Sequence, residues 1–201
     1  SGSATGIVFK IEGDGNYFFN NTIDDVDIGF VINTSSNGNR FIENYVEDSN
    51  TGFYLEGSGN DLTNNTAYNN NIGFYLDSAG DNVWENIADS NDIGFQVENV
   101  PGNFFNNTAL YNNRGFYISG GGTVSDNFAF SNDNGFYLDS AGSVIFNNIT
   151  DNSYGVAING TNYATVERNP IKGSTDGIHL DNSANNNIIK DNVLYDNWNG
   201  I

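Results

Sequence analysis

Glycine recurs along the chain at an almost fixed interval, and this recurrence restricts the possible folds more than any other feature. Successive glycines are 20 to 23 residues apart: Gly6, Gly29, Gly52, Gly73, Gly94, Gly115, Gly135, Gly155, Gly177 and Gly200. An asparagine column keeps the same interval: Asn21, Asn44, Asn65, Asn86, Asn107, Asn127, Asn148, Asn169 and Asn192. One unit is therefore repeated about nine times, which predicts a single elongated domain over residues 1–201.

Each glycine is followed by an apolar, a variable and a second apolar residue, as in Gly73-Phe74-Tyr75-Leu76. This alternation is typical of a strand with one buried face. Further apolar columns lie three residues before and two residues after the asparagine, and they predict additional short strands. A unit of about 22 residues is too short for a helix, a crossover and a strand together, and no 3.6-residue periodicity is present. We therefore predict an all-β fold, a right-handed, single-stranded parallel β-helix (a solenoid) of about nine coils of 20–23 residues.

Stacking of the coils about 4.8 Å apart would turn each column into a ladder of like side chains. Aligned on the glycines, the first apolar column reads Ile7, Phe30, Phe53, Phe74, Phe95, Phe116, Phe136, Val156, Ile178 and Ile201. Asparagine at a corner can bond the next coil and so satisfy polar groups that the turn buries. On this alignment Asn148 is flanked by the apolar-column positions Ile145 and Thr150.

The charge balance restricts the possible partners. The chain has a formal net charge of -19 and only six Lys and Arg residues, which excludes nucleic acid as a partner because a phosphate backbone requires cations. No apolar segment is long enough to insert into a membrane. Cysteine and methionine are absent, which rules out disulfides and thiolate metal sites. Six Asn-x-Ser/Thr sequons favour an extracellular or cell-surface location.

The segment from Gly177 to Ser183, together with Asn187 to Asn192, resembles the right-handed parallel β-helix repeat of pectate-lyase-like proteins. It is similar to the asparagine-rich repeats of archaeal and bacterial surface proteins and of the periplasmic copper-maturation factor of nitrous oxide reductase. The resemblance covers nearly the whole chain and implies the fold. It says little about activity, and a copper role is not favoured because His179 is the only histidine and Met and Cys are missing.

A column of tyrosines is the first candidate site. Its members, Tyr54, Tyr75, Tyr117 and Tyr137, lie two residues after their glycines, and Gln96 interrupts them. On the strand interpretation these rings face outward, where a flat aromatic stripe could bind glycans or a protein partner. The alternative is that the rings only stabilise the sheet by cross-strand stacking.

An acidic column four residues after the glycines is the second candidate. Glu56, Asp77 and Glu98 would lie one strand spacing apart, and Ca²⁺ could relieve the repulsion between them. The resemblance adds that pectate-lyase-like enzymes often hold Ca²⁺ with surface carboxylates. The alternative is a solvated acidic face that serves solubility.

The third candidate is a catalytic cluster near the C-terminus, where the net charge falls to -3 over residues 151–201, against -16 over residues 1–150. A lyase or epimerase acting on uronic acids needs a base and a cation. Asp176, His179 and Asp181 could supply the proton chemistry, and Lys172 or Arg168 could stabilise charge. The alternative is that these residues are ordinary members of the repeat.

The repeat shows no capping element at either end, since the chain begins in phase at Gly6 and finishes in phase at Gly200 and Ile201. Either the sequence belongs to a longer repeat protein, or copies of the chain stack end to end into filaments. Coil length is nearly uniform, whereas catalytic β-helices insert long loops. We therefore expect a structural or adhesive rod, with a polysaccharide-active enzyme or a glycan-binding module as alternatives.

Overall fold

A computed structural model describes residues 6–78, 80–181 and 183–201. These residues form 27 strands and no helix, and every pairing between strands is parallel. Each strand pairs with the equivalent strand of the next coil rather than with its neighbour in sequence. This is the predicted β-solenoid, and the prediction of an all-β parallel fold is confirmed.

The strands line three faces. The glycine sheet has nine strands: Ile7–Ile11, Ile28–Ile32, Thr51–Leu55, Ile72–Asp77, Ile93–Asn99, Arg114–Ile118, Asn134–Leu138, Tyr154–Asn159 and Asp176–Asp181. The second face is divided into sheets of five and four strands: Tyr17–Phe19, Arg40–Ile42, Asp61–Thr63, Asn82–Trp84 and Asn103–Phe105, then Gly122–Ser125, Gly142–Ile145, Thr165–Glu167 and Ile188–Lys190. The third sheet has nine strands: Thr22–Asp24, Tyr45–Glu47, Thr66–Tyr68, Ile87–Asp89, Thr108–Leu110, Phe128–Phe130, Asn148–Thr150, Pro170–Lys172 and Val193–Tyr195.

Close approach between coils explains why glycine recurs. A Cβ atom on Gly94 would lie 2.6 Å from the carbonyl oxygen of Gly115 in the next coil. The same contact, between 2.5 and 2.8 Å, faces every glycine of the column from Gly29 to Gly177. The obstructing atom belongs to the backbone of a hydrogen-bonded sheet, so it cannot move aside as a side chain would. Only glycine fits this position.

The first coil departs from the predicted phase. Phe9, not Ile7, pairs with Phe30, and Ile11 pairs with Ile32. Gly6 therefore lies outside the glycine column, and a Cβ atom there would meet nothing within 4 Å. The shift is two residues, so aligning Gly6 with Gly29 was wrong. The alignment kept Phe9 on the inward face, but it also assigned Ile7 to the interior, whereas Ile7 lies opposite Ile28, before the glycine, and is 45 % exposed.

Stacked phenylalanines fill the interior. Each ring lies 4.6 to 5.2 Å from the next, with planes within 9° of parallel, in the series Phe9, Phe30, Phe53, Phe74, Phe95, Phe116 and Phe136. Phe41 and Phe104, from the second face, meet this stack edge to face. Such contacts add about 0.5–1.5 kcal/mol per pair beyond the burial of apolar area.

Asparagine side chains connect the coils at two corners. In the first ladder, the backbone amide and the Nδ2 of Asn86 both donate to Oδ1 of Asn107 at 3.1 Å, and Nδ2 also donates to the Leu62 carbonyl of the preceding coil. The second ladder repeats this arrangement three residues before the glycines, as from Asn91 to Asn112. These residues are buried, so the ladders satisfy polar groups that water does not reach.

In one coil the first ladder passes through Asn147 and not Asn148. Asn127 donates to Oδ1 of Asn147, and Asn147 donates to Oδ1 of Asn169. The second and third strands of this coil shift by one residue, so Val144 and Ile149 are buried where Ile145 and Thr150 were expected. Asn147 and Asn148 are adjacent, and the repeat interval alone selects Asn148, which is wrong. The apolar residues Val144 and Ile149 identify Asn147 as the ladder residue. Asn148 itself is exposed.

The residue before each asparagine of the first ladder is left-handed, with φ between 54 and 58°: Asn20, Glu43, Asn64, Glu85, Asn106, Asp126, Phe146, Arg168 and Asp191. Asparagine and aspartate tolerate this conformation because their short polar side chains bond locally, whereas bulkier residues pay about 1–2 kcal/mol. Each coil therefore needs a left-handed residue at this position, because it turns the chain so that the ladder asparagine points inward.

A third, shorter ladder contains a carboxylate. It runs through Asn16, Asn39 and Asn60 and ends at Asp81, whose Oδ1 accepts from the backbone amide of Asn60 at 2.8 Å and from its Nδ2 at 3.2 Å. Asp81 is 1 % exposed, and its Oδ2 makes no hydrogen bond to the described part of the chain. Burial raises the pKa of Asp81 to about 6, against the opposing effect of the hydrogen bonds from Asn60.

We expect Gly94→Ala to destabilise the fold by about 3 kcal/mol, the upper end of the cost of overpacking, because its Cβ would meet the Gly115 carbonyl oxygen. Gly6→Ala is the matched control, since open space surrounds that position. Urea denaturation followed by circular dichroism measures both. Equal midpoints for the two variants would contradict the close-approach explanation.

Asp81→Asn should stabilise the chain at pH 8 and less so at pH 4. The folded pKa of about 6 lies above the ordinary 3.8, so the folded state binds the proton more tightly. Wild-type stability should consequently fall as pH rises from about 4 to about 6. The shift corresponds to roughly 3 kcal/mol at most. Thermal melts of both proteins across this pH range test it, and a difference that does not change with pH would contradict it.

Candidate functional site

One continuous row of side chains crosses the outer surface of the glycine sheet. Strand pairing places its members directly opposite one another in the order Lys10, Val31, Tyr54, Tyr75, Gln96, Tyr117, Tyr137, Ala157 and His179. We call these residues the outer row. The rings of Tyr54 and Tyr75 stack at 4.7 Å with planes 7° apart, and those of Tyr117 and Tyr137 lie 5.7 Å apart with a tilt of 46°.

Acidic side chains border the outer row and bond to it. The hydroxyl of Tyr54 donates to Glu56 Oε1, and that of Tyr117 donates to Asp139 Oδ2, both at 2.9 Å. Burial, followed by these hydrogen bonds, raises the pKa of Tyr54 and of Tyr117 to about 12. Gln96 repeats the pattern, because its Nε2 donates to Glu98 Oε1 at 2.9 Å. Three members of the row, Tyr54, Gln96 and Tyr117, thus have their polar tips held by a neighbouring carboxylate.

The carboxylates proposed to hold Ca²⁺ are each bonded to a neighbour of their own. Glu56 accepts from Tyr54, Glu98 accepts from Gln96, and Asp77 accepts from the Asn99 amide at 2.6 Å. The strand register shifts after Leu76, so that Asp77 lies opposite Asn99 and not opposite Glu98. No group of three or more His, Asp or Glu side chains that could hold a metal occurs within the described residues. The expected even spacing of Glu56, Asp77 and Glu98 is therefore wrong at Asp77.

Arg114 lies on the tyrosines of the outer row. Its guanidinium carbon is 5.1 Å from the centroid of the Tyr117 ring and 4.4 Å from that of Tyr137. A cation over an aromatic face adds about 0.5–1 kcal/mol at exposed sites. Arg114 occupies the position immediately before the glycine, which also faces outward. This column was not among the sequence-based candidates. The sequence nevertheless shows that its surface changes from apolar to polar, because Ile93 is followed by Arg114, Asn134 and Tyr154.

A cleft of about 210 Å³ opens where Ala157 interrupts the aromatic part of the row. Tyr137 and His179 lie directly on either side of Ala157 in the outer row. Asn134 and Tyr154, which occupy the column immediately before the glycine, line a further side of the cleft. The rings of Tyr154 and His179 lie 4.8 Å apart. Ile158, Asn159 and Asp181 complete the lining.

The proposed catalytic residues occupy different faces. Asp176, His179 and Asp181 share one strand of the glycine sheet, and His179 Nδ1 lies 3.3 Å from Asp176 Oδ2. Lys172 belongs to the third sheet, where its Nζ lies 5.7 Å from the centroid of the Tyr195 ring. The cluster therefore divides into a carboxylate–imidazole group and a separate lysine.

Arg168, proposed as an alternative cation for this cluster, is also engaged elsewhere. It forms an ion pair with Glu167 and lies over the ring of Phe146 at 5.5 Å. The described contacts of Lys172 and Arg168 are therefore with residues other than Asp176 and His179 of the glycine sheet.

A second aromatic surface lies on the second face of the coil. Trp84 and Phe105 stack at 6.1 Å beside Asn82 and Asn103, and together with Arg40 they line a groove of about 300 Å³. The sequence analysis missed it. The sequence could have indicated it. Trp84 and Phe105 lie two residues before a ladder asparagine, where the side chain faces outward, and tryptophan is rare in this chain, with two in total.

Comparison with known protein families gives two matches. The family described as "Right handed beta helix region" matches residues 5–148. The family described as "Periplasmic copper-binding protein (NosD)" matches residues 119–201, and this part of the chain is similar to it. No individual curated protein and no solved structure matches the chain.

The residues of this chain do not fit the copper site that the second family name implies. Copper in protein sites is held by imidazole, thiolate or thioether groups. His179 is the one histidine, Cys and Met are absent from the sequence, and the imidazole faces Asp176. The match to a periplasmic family does agree with the predicted location outside the cytoplasm. Among the described residues no helix is long and apolar enough to cross a membrane.

Proposed function

Because the chain belongs to the right-handed β-helix family, we propose that it is a rigid structural rod outside the cytoplasm that adheres to glycans through the outer row. The observation that carries the proposal is the row itself. Two pairs of tyrosines run along the glycine sheet, Tyr54 with Tyr75 and Tyr117 with Tyr137, and one hydroxyl of each pair donates to a carboxylate. A parallel ladder holds these rings in fixed register, so a repeating polymer could lie along them at low entropic cost.

The chemistry of the row suits sugars. Aromatic faces pack against the apolar faces of sugar rings, and carboxylates accept hydrogen bonds from hydroxyl groups. The net charge of -19 opposes binding of uronic acid polymers, since like charges repel. The preferred ligand is therefore a neutral glycan, which distinguishes this chain from the uronate-active enzymes that its repeat resembles.

A polysaccharide-active enzyme receives less support. The chemistry needs a base and a cation on the same substrate, and Lys172 lies on a different sheet from His179. The carboxylate–imidazole pair of Asp176 and His179 remains usable for binding.

Tyr75→Ala and Tyr117→Ala should each weaken binding to a neutral insoluble glycan about 3- to 10-fold, the equivalent of one aromatic contact. Tyr68→Ala is the matched control, because Tyr68 is exposed but belongs to the third sheet. Co-sedimentation with cellulose, xylan and chitin measures the binding, and thermal melts verify folding. Equal binding by all three variants would refute the role of the outer row.

We also propose end-to-end assembly as a second role. The ladders are directional, since the backbone amide of each asparagine donates to Oδ1 in the next coil, and its own Oδ1 accepts from the backbone amide in the preceding coil. One end of a stack consequently offers acceptors where the other offers donors, which is the heterologous contact that builds filaments. Negative-stain electron microscopy at low and high protein concentration tests this. Filaments would support assembly, and discrete rods at every concentration would contradict it.

A further inference from the structure

The interruption of the outer row at Ala157 has the dimensions of a ligand site. Where the row is filled, neighbouring rings stack at 4.7 Å, as Tyr54 and Tyr75 do. Tyr137 and His179 stand on strands two coils apart, roughly 9.6 Å by strand spacing. The intervening position carries only a methyl group, which is 5 % exposed at the floor of the cleft. One flat ring can therefore enter and complete the stack.

The lining of this cleft combines apolar walls with a polar rim. Tyr137 forms one wall, and Tyr154 with His179 forms the other. Amides of Asn134 and Asn159 and the carboxylate of Asp181 lie at the rim. Ligand sites in proteins typically place a few polar groups around an apolar pocket, and those groups fix the orientation of the ligand.

Size and charge narrow the class of ligand. The cleft of about 210 Å³ is smaller than the roughly 300–1,000 Å³ of sites for drug-sized molecules, so it suits a single ring. Hydroxyl groups around a sugar ring can donate to and accept from amide and carboxylate groups such as those of the rim, whose oxygens accept more than one hydrogen bond. Asp176 lies beside His179, and Asp181 is on the rim, so an anionic sugar would meet repulsion.

We propose that the Ala157 cleft is a subsite for one neutral pyranose ring, stacked between Tyr137 and His179. This inference deepens the proposed function and rests on it, because it identifies where along the row a sugar ring is captured. The Asp176 carboxylate, 3.3 Å from His179 Nδ1, positions the imidazole that forms the second wall.

His179 offers a direct readout because it is the one histidine of the chain, so its imidazole gives one set of resonances. The probes are cellotriose, xylotriose and triacetylchitotriose, titrated separately while the His179 Cε1 and Cδ2 proton signals are followed by nuclear magnetic resonance. We expect at least one of them to shift these signals saturably. Ala157→Tyr should fill the cleft and weaken that affinity at least tenfold.

Two further variants make the result independent of any misfolding of Ala157→Tyr. Tyr137→Ala removes one wall and should weaken the same titration about 3- to 10-fold, the equivalent of one aromatic contact. Tyr68→Ala changes an exposed tyrosine on the third sheet, outside both the cleft and the outer row, and should leave the His179 titration unchanged. Unmoved His179 signals with all three probes, or an unchanged affinity in Ala157→Tyr, would overturn the subsite.

The outcomes separate the subsite from the proposed function. Binding to insoluble glycan that depends on Tyr75, with no response at His179, would leave the outer row as the adhesive surface and eliminate the subsite. A saturable response at His179 without binding that depends on Tyr75 would keep the subsite and eliminate adhesion along the row.

Discussion

Everything in this structure depends on how closely one coil approaches the next at the glycine column. The backbone carbonyl of each coil occupies the space that a Cβ atom of the preceding coil would need, with 2.6 Å between the two at Gly94. This contact recurs on eight of the nine strands of the glycine sheet, from Gly29 to Gly177, and holds them in register. The register in turn stacks the phenylalanines inside and aligns the outer row outside. The same backbone constraint thus fixes both the core and the surface.

Buried asparagines let the coils turn at this spacing without leaving buried polar groups unbonded. Their side chains replace the backbone partners that a corner lacks, and each left-handed residue before them directs the amide inward. Asp81 shows what the ladder requires: it is a buried carboxylate in an asparagine position, its Oδ2 makes no hydrogen bond to the described residues, and its pKa is raised to about 6. A neutral side chain that can both donate and accept is what each position needs.

The repeat interval was sufficient to predict the fold, the sheet of glycine strands and the outward tyrosines, because period and side-chain direction are local properties of a strand. It was insufficient wherever the pairing between coils departs from that interval. The phase of Phe9, the choice of Asn147 over Asn148 and the position of Asp77 all depend on such local shifts of pairing. The cleft at Ala157 could not be predicted from the sequence. It exists because strand pairing places the larger side chains of Tyr137 and His179 on either side of a small alanine.

The central claim is that buried asparagine side chains hydrogen-bond continuously from coil to coil. Hydrogen exchange of the asparagine side-chain amides, followed by nuclear magnetic resonance after transfer to D₂O, tests this most directly, because buried and bonded amides exchange only when the structure opens. The account predicts that the Nδ2 protons of ladder residues such as Asn86 and Asn91 persist long after those of exposed Asn148 have vanished. Loss of all side-chain amide signals at one fast rate would contradict it.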